Sequence, residues 1–291
     1  MDREEKIVQP KIASREVTTH ILKAFGLHMS KKLGQNFLID AGIVQGIVDA
    51  ADIQPGERVL EIGPGIGTLT QGLAEAGADV TAVELDKKLP AVLAETLKAY
   101  PNVTIVPGDI LKVDIPSIMG EGTFKVAANL PYYITTPIIM TLLERRLPIE
   151  RLVTMVQKEV AERIAEKPGS KTYGILSVLL QAWYDIEYLF TVGSGCFAPP
   201  PKVESAVIRL TRNSRMDLGC DEALFKTVVK TAFGQRRKMM RNPLKPLARA
   251  KAERSGWSEE QLADFLAQDV FSLRPERLSV EDFVALTNLL A

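Results

Sequence analysis

The chain has 291 residues, of which 46% are hydrophobic and 25% charged, and its 36 basic and 36 acidic residues cancel to a net charge of zero. These values are typical of a globular protein with one large domain or a large and a small one. No apolar run is long enough to span a membrane and the first ten residues lack the apolar core of a signal peptide, so we expect a cytoplasmic protein. Cys196 and Cys220 form no C-x-x-C pair and the two histidines lack partners at metal spacing, so neither a disulfide framework nor a zinc site is expected.

Two helices separated by a loop are predicted before residue 58. Apolar residues at helical spacing predict a helix over 14–27 that stops at Gly26, and a second helix follows a cap at Asp40. The segment between them, KKLGQNFL at 31–38, mixes basic, amide and aromatic residues without periodicity. It either crosses the surface or covers a ligand, and the pattern leaves both open.

From residue 58 the chain alternates strands and helices. We predict strands at 58–62, 79–84, 103–107, 124–128 and 151–156, and helices near 68–76, 87–98 and 136–146. This alternation predicts an α/β fold with a parallel sheet and helices on both faces. Ligands of such sheets bind at the carboxyl ends of the strands.

A glycine-rich stretch, VLEIGPGIGTLT, joins the first of these strands to its helix. Gly63, Gly65 and Gly67 would bring bare backbone and a helix N-terminus against a ligand, and Glu84 ends the next strand, where an acidic residue typically holds the ribose of an adenosine cofactor. A dinucleotide fingerprint would have its third glycine one residue later. The early Gly67 therefore favours a cofactor without phosphates, and a tight turn with no ligand is the alternative.

Candidate site residues fall at the ends of four successive predicted strands, namely Gly63, Glu84, Asp109 and Asn129. Strand ends share one edge of a parallel sheet, so these positions predict one site. Asn129 begins an N-L-P-Y turn that ends at Tyr132. The asparagine oxygen and a neighbouring carbonyl can accept the two hydrogens of an exocyclic amine, and the tyrosine ring can stack on a heterocycle. A turn with a packed tyrosine is the alternative.

The second half of the chain changes from strands to helices. A buried helix is predicted at 174–184 and strands at 186–192 and 203–210, with a rigid proline loop, CFAPPPK, between them. After about residue 212 we predict only helices, at 221–234, 243–252, 258–267 and 279–290, of which the last two begin with the cap pairs Ser258/Gln261 and Ser279/Asp282. We therefore predict two domains, 1–212 and a small helical domain at 213–291.

The neutral net charge conceals a basic segment. Residues 200–255 contain 14 basic and 5 acidic residues. Such a segment predicts a polyanion-binding surface, and an ordinary solvated helical face is the alternative. The candidate RNA-binding residues, in a region predicted to lie between the domains, are Arg236, Arg237, Lys238 and Arg241.

Several motifs occur in one order along the chain: QNFL at 35–38, EIGPGIG at 61–67, Glu84, GD at 108–109, NLPY at 129–132 and FAPPPKV at 197–203. In this order they closely resemble the kasugamycin-sensitivity family of small-subunit (16S) ribosomal RNA adenine N6,N6-dimethyltransferases, over nearly the whole chain. The glycine loop is common to many methyltransferases, whereas NLPY with the QNFL lead and the F-x-P-x-P-x-V loop is far more specific.

The resemblance implies a seven-stranded, Rossmann-like class I methyltransferase sheet that binds S-adenosylmethionine and needs no metal. The cofactor contacts that it implies are Asn36, Leu38, Gly63, Gly65, Glu84, Asp109 and Asn129. Asn129 would also hold the target N6, while Tyr132 and Phe197 would stack on the two faces of a flipped adenine. The implied reaction is repeated in-line methyl transfer to two adjacent adenosines in the 3′-terminal hairpin loop of small-subunit rRNA, by a monomer acting on a pre-30S particle during subunit biogenesis.

Two other functions remain open. A macrolide-resistance type methyltransferase of large-subunit rRNA shares the sheet and an N-x-P-Y motif, although the QNFLID lead, Leu130 and the helical tail favour the small-subunit enzyme. The second alternative is a non-catalytic RNA-binding or assembly protein with the same fold, which the intact motif at 129–132 disfavours.

Overall fold

A seven-stranded sheet organises the chain in a computed structural model that describes residues 10–27 and 35–291. The strands of the described chain are β1 (Phe37–Leu38), β2 (Arg58–Ile62), β3 (Asp79–Glu84), β4 (Val103–Pro107), β5 (Phe124–Asn129), β6 (Ile149–Gln157), β7 (Tyr184–Val192), β8 (Phe197–Ala198) and β9 (Ser205–Arg212). The sheet has the order β4-β3-β2-β5-β6-β9-β7. The first five of these strands are parallel to their neighbours, whereas β9 pairs antiparallel with β6.

The helices of the described chain are α1 (Arg15–Ala24), α2 (Ala41–Ala51), α3 (Thr68–Glu75), α4 (Leu89–Thr96), α5 (Ile115–Met119), α6 (Thr135–Glu144), α7 (Lys158–Ala165), α8 (Ile175–Gln181), α9 (Glu222–Gly234), α10 (Lys245–Ser255), α11 (Glu259–Ala267), α12 (Asp269–Ser272) and α13 (Val280–Leu290). The caps predicted for α2, α11 and α13 are confirmed, because their polar side chains accept hydrogen bonds from backbone amides in the first turn of each helix. Asp40 accepts from the amides of Gly42 and Ile43 at the start of α2, and α11 and α13 begin with complete capping boxes.

Burial along the central strands shows that both faces of the sheet are covered. All residues of β2 from Val59 to Ile62 are buried, as are Phe124 to Ala128 of β5. Successive side chains of a strand point to opposite faces, so an unbroken buried run requires packing on both sides. One side carries a core cluster that includes Ile47, Val59 and Leu73. The predicted α/β class with its seven-stranded sheet is confirmed.

Local predictions and structure differ in a few places. Strands β2, β3 and β4 have the predicted bounds, whereas α5 and α7 were not predicted. The helix predicted at 174–184 ends at Gln181, because Tyr184 already belongs to β7. The sheet is mixed rather than wholly parallel, since β9 runs against β6.

A two-stranded ribbon outside the main sheet was also not predicted. Strands β1 and β8 pair antiparallel, with Phe37 opposite Ala198 and Leu38 opposite Phe197. This pairing ties the QNFL segment to the proline loop, about 160 residues further along the chain. The beginning of the loop predicted at 31–38, residues 31–34, lies outside the described residues.

Contacts divide the chain into two compact units. The first contains the described residues up to Lys158 together with Glu187–Thr211, and the second contains Glu159–Ile186 together with Arg212–Ala291. Aromatic rings pack inside the second unit, where Phe233 lies 6.3 Å from Tyr173 and 5.9 Å from Phe283 between ring centroids. The division of the chain into domains at residue 212 stays a prediction. Across the described ranges, no helix combines the length and apolar character needed to cross a membrane.

Candidate active site

A cleft in the first unit lies at the carboxyl ends of the parallel strands, where successive strands diverge to opposite sides of β2. Its lining includes residues 35–38 around β1, 61–65 after β2, 84–85 after β3, 108–110 after β4 and 129–134 after β5. Such a topological switch point is where open α/β sheets bind ligands. The predicted rim positions Gly63, Glu84, Asp109 and Asn129 therefore line one cleft.

The glycine loop presents bare backbone to this cleft. Gly63 and Gly65 have φ angles of 71° and 61°, in the left-handed region that favours glycine. A Cβ on Gly63 would meet no atom within 4 Å, whereas one on Gly65 would lie 3.2 Å from the Phe37 ring. Gly67 caps the N-terminus of α3. The space beside Gly63 is consequently open to a ligand that approaches the main chain closely.

Two buried carboxyl groups lie at the centre of the rim. Glu84 is 6% exposed and accepts hydrogen bonds from the amides of Gly65 at 3.2 Å and Asp86 at 2.7 Å. Burial raises the pKa of Glu84, and these two amides oppose the rise. Its orientation thus depends directly on the glycine loop, 19 residues earlier in the chain.

Glu61 is the second carboxyl group, and sequence reasoning gave it no role. It is 1% exposed at the end of β2, and its Oε2 atom has no hydrogen-bond partner among the described residues. Burial raises the pKa of Glu61 to about 8; hydrogen bonding from the neighbouring Thr70 opposes this rise, and the charge of Glu84 adds to it. An unpaired buried oxygen beside a cleft is unusual and suits a ligand that donates or carries positive charge. An acidic residue inside an otherwise apolar strand was the sequence signal that could have revealed it.

The QNFL segment is connected to both sides of the rim. Gln35 donates from Nε2 to Asp86 at 2.9 Å, and Asn129 donates from Nδ2 to the backbone oxygen of Asn36 at 3.4 Å. Asp109 lines the same cleft and accepts from the amide of Leu111 at 3.0 Å. Residues 35–38 therefore line the cleft, and their role in covering a ligand stays a prediction.

The N-L-P-Y turn projects an amide and an aromatic ring into the cleft. The Pro131 carbonyl accepts from the Ile134 amide at 3.1 Å, which closes the turn. The Tyr132 hydroxyl is hydrogen-bonded to Ser205 on β9, and burial raises the pKa of Tyr132. Nδ2 of Asn129 donates to the Asn36 carbonyl, which orients the amide group, and Oδ1 is the atom of this side chain that can accept from a ligand. The arrangement can hold a planar amine beside an aromatic surface.

Phe197 is the one predicted active-site residue that does not line the cleft. Its side chain is 1% exposed and packs in the core cluster of the first unit, where β8 pairs with β1. Leu38, its strand partner, does line the cleft. The pairing of β1 with β8, which local patterns do not reveal, buries the ring.

The predicted RNA-binding residues lie in the second unit, directly after α9. Arg236 donates to the Ser170 carbonyl at 3.3 Å, and its guanidinium carbon lies 6.0 Å from the centre of the Phe233 ring. Arg237, Lys238 and Arg241 are exposed. Within the described ranges these three cations form no ion pair, so their charge faces solvent.

Comparisons with known proteins place the chain among rRNA methyltransferases. A family model described as ribosomal RNA adenine dimethylase matches residues 26–265. The chain is 51% identical over 259 residues to ribosomal RNA small subunit methyltransferase A of Parabacteroides distasonis, covering 88% of this chain and 92% of that protein. It is 44% identical to the protein of the same name in Geobacillus thermodenitrificans, covering 96% and 97% of the two chains.

Two solved structures are similar over most of the chain. A dimethyladenosine transferase from Plasmodium falciparum has a TM-score of 0.73 at 24% identity and covers 86% of this chain and 95% of its own. The 23S rRNA methyltransferase ErmE has a TM-score of 0.62 at 27% identity and covers 88% and 99%. The first likeness supports the fold alone.

Proposed function

The chain belongs to the ribosomal RNA adenine dimethylase family, and we propose that it transfers methyl groups from S-adenosylmethionine to N6 of two adjacent adenosines in the 3′-terminal hairpin loop of small-subunit (16S) rRNA. It is a methyltransferase. The observation that carries the proposal is the meeting of Gly63, Glu84, Asp109 and Asn129 in one cleft. The names of relatives 43–51% identical to this chain support the choice of the small subunit.

The residues that line the cleft support S-adenosylmethionine as its ligand. The open space at Gly63, with Gly65 beside it, admits the methionine part against the main chain. The Glu84 carboxylate would accept both ribose hydroxyls, and Asp109 would accept from the adenine amine. Asn36 and Leu38 would contact the cofactor from the N-terminal segment. The positively charged sulfonium supplies an already activated methyl group, so we expect no metal to be required.

Asn129 and Tyr132 would present the acceptor amine to that methyl group. Oδ1 of Asn129 accepts one N6 hydrogen and so turns the nitrogen lone pair toward the donor. Tyr132, fixed through its hydroxyl by Ser205, stacks on the extruded adenine. Catalysis is then mostly orientation, with no strong general base. A stacking role for Phe197 stays a prediction, because its ring lies in the adjoining core.

The basic residues at 236–241 would bind rRNA phosphates. Arg237, Lys238 and Arg241 are exposed and free of ion pairs within the described chain, as counterion release on RNA binding requires. We propose that a monomer acts in the cytoplasm on a pre-30S particle and so contributes to small-subunit biogenesis. The rRNA substrate of the family supports this setting.

The large-subunit alternative rests on the likeness to ErmE, and labelled cofactor tests it directly. Purified small and large ribosomal subunits would be incubated with the protein and labelled S-adenosylmethionine, and the 3′-terminal rRNA fragments analysed by mass spectrometry. Dimethyladenosine is expected only in small-subunit fragments. Label confined to the large subunit would overturn the proposal.

The non-catalytic alternative is tested by Asn129→Ala. We expect methyl transfer to fall at least about a hundredfold, since an oriented hydrogen-bond partner of a reacting group contributes about that factor. Asn288→Ala is the matched control, because Asn288 also donates from Nδ2 to a backbone oxygen, that of Gly219, outside the cleft. Unchanged dimethyladenosine in the Asn129 variant would refute an enzymatic role for this motif.

A further inference from the structure

Tyr133, the residue after the N-L-P-Y motif, lines the cleft with a side chain that is 54% exposed. Isolated exposed aromatic rings are common on protein surfaces, so exposure alone means little. Its position is more informative, because the adjacent Tyr132 is part of the same cleft lining. Among the described residues, Tyr133 makes no hydrogen bond and no contact with another aromatic ring. Its exposed part is therefore accessible to a ligand.

The backbone on both sides of Tyr133 is firmly anchored. Before it, the Leu130 amide donates to Met155 of β6 at 3.1 Å, and the Leu130 side chain is buried. After it, the Thr135 hydroxyl donates back to the Pro131 carbonyl at 3.0 Å, at the start of α6. Both tyrosines are central residues of the turn closed between Pro131 and Ile134. The turn thus holds the backbone of Tyr133 at a fixed place while its side chain stays exposed to solvent. Little backbone entropy is therefore lost when a ligand binds there.

The two adjacent tyrosines differ in what holds them. Tyr132 is anchored by Ser205 and half-buried, as expected of a ring that receives a base inside the cleft. Tyr133 has no such anchor in the described chain and lies at the solvent side of the same turn. An RNA strand that inserts one base beside Tyr132 must carry the neighbouring nucleotide past this exposed ring.

We propose that Tyr133 is a substrate-positioning residue that stacks on the base next to the adenosine being methylated, an inference that rests on the proposed function. Extruding one of two adjacent adenosines breaks the stacking between them and leaves the other with an uncovered face. An aromatic ring can replace that lost stacking without regard to base identity. Each adenosine of the pair has its partner on the opposite side along the strand, so a ring at a fixed place stacks on the partner adenine when one of them is the target and on the outer neighbour when the other is. Stacking tolerates either base.

The first experiment separates substrate binding from chemistry in three variants of the full-length protein. Tyr133→Ala should raise KM for small ribosomal subunits about tenfold, the effect of removing one base-stacking ring. Its kcat at saturating subunit and its affinity for S-adenosylmethionine should match the wild type. Tyr133→Phe should restore the wild-type KM, because only the ring is needed. Tyr188→Ala, which removes a tyrosine of β7 bonded to Thr191 instead, should leave KM unchanged.

A second experiment asks whether Tyr133 contacts that particular base. Small subunits are reconstituted with rRNA in which either adenosine of the pair is replaced by an abasic nucleotide, and methylation of the remaining adenosine is measured. The wild type should lose about tenfold in kcat/KM on at least one such substrate, and Tyr133→Ala should lose nothing further. Losses that multiply would show that the ring and the base act independently and would overturn the proposal, as would a wild-type KM for Tyr133→Ala on intact subunits.

Failure of the inference differs from failure of the proposed function. If the wild type methylates intact subunits and Tyr133→Ala does so equally well, only the proposed role of Tyr133 is refuted. If the wild type transfers no methyl group to adenosines of small subunits, the proposed function itself is refuted. A folding defect of the alanine variant would also lower kcat and the affinity for S-adenosylmethionine, so a change confined to the KM for subunits is not a folding defect.

Discussion

Replacing Gly63 by alanine should have two effects that can be measured separately: backbone strain lowers the stability of the protein, and the added methyl group takes up space of the ligand. Gly63 has a φ of 71°, so alanine there adopts the left-handed region, at a cost of about 1–2 kcal/mol. Reduced entropy of the unfolded chain offsets about 0.4–1 kcal/mol of this. We therefore expect a net destabilisation of about 1 kcal/mol and a fall in Tm of about 2 °C. An added Cβ meets no protein atom within 4 Å, so no further penalty arises without ligand.

The effect on cofactor binding should be larger than the effect on stability. If the methionine part lies against the main chain at Gly63, the new methyl group occupies its space. Overpacking by one methyl group costs about 1–3 kcal/mol, and about 2 kcal/mol corresponds to a roughly thirtyfold rise in Kd for S-adenosylmethionine. Isothermal titration calorimetry measures Kd, and scanning calorimetry measures Tm on the same samples.

Gly56 provides a matched control. It has a φ of 81°, a Cβ placed on it also meets nothing within 4 Å, and it lies in the turn before β2, outside the cleft. Gly56→Ala should lose similar stability and keep the wild-type Kd. If Gly63→Ala binds the cofactor as tightly as Gly56→Ala does, the methionine part does not lie where we place it. Equal loss of affinity in both variants would refute the reasoning as well, since strain would then be the cause.

Three other predictions concern charge, pH and helix capping. Burial raises the pKa of Glu61 to about 8 in the folded chain, above its usual 4.5, so its contribution to the free energy of unfolding is complete below about pH 4.5 and is lost as pH rises through 8. In chemical denaturation, the stability of the wild type relative to Glu61→Gln should therefore fall from pH 5 to pH 8.5. A difference that does not change with pH would contradict this. The double reversal of Arg236 and Arg237 to Glu should weaken subunit binding and flatten its salt dependence while leaving cofactor affinity intact, whereas Lys98→Glu, a reversal in the first unit, should not; identical salt titrations would count against a phosphate-binding role. Ser279→Ala should destabilise the protein by about 1 kcal/mol in chemical denaturation, since it removes the capping hydroxyl of α13, and an unchanged midpoint would refute the contribution of this cap.

Local patterns were sufficient for the central strands and for the rim of the site. The bounds of β2, β3 and β4 follow from short apolar runs flanked by glycine and polar residues. In a parallel sheet these strands must end at the same edge, so Gly63, Glu84, Asp109 and Asn129 could be assigned to one cleft before any contact was known. Motif order then indicated the family, which the comparisons confirm.

Contacts between distant segments were beyond the reach of sequence patterns. Tyr132 meets Ser205 across 73 residues and Asn129 meets Asn36 across 93, and neither pairing leaves a periodic signal. The same holds for the ribbon of β1 and β8, which buries Phe197, and for the packing of 159–186 with the C-terminal helices.

The sequence by itself determined the central strands, the caps and the residue types at the strand ends, because each depends on neighbours within a few positions. Only the tertiary structure decided which of these residues reach one another. It left Oε2 of Glu61 without a hydrogen-bond partner in the part of the chain that the structure describes, and it held the side chain of Tyr133 exposed at the cleft. Burial and hydrogen bonding at such positions depend on the whole packed unit, whose long-range contacts no local spacing encodes.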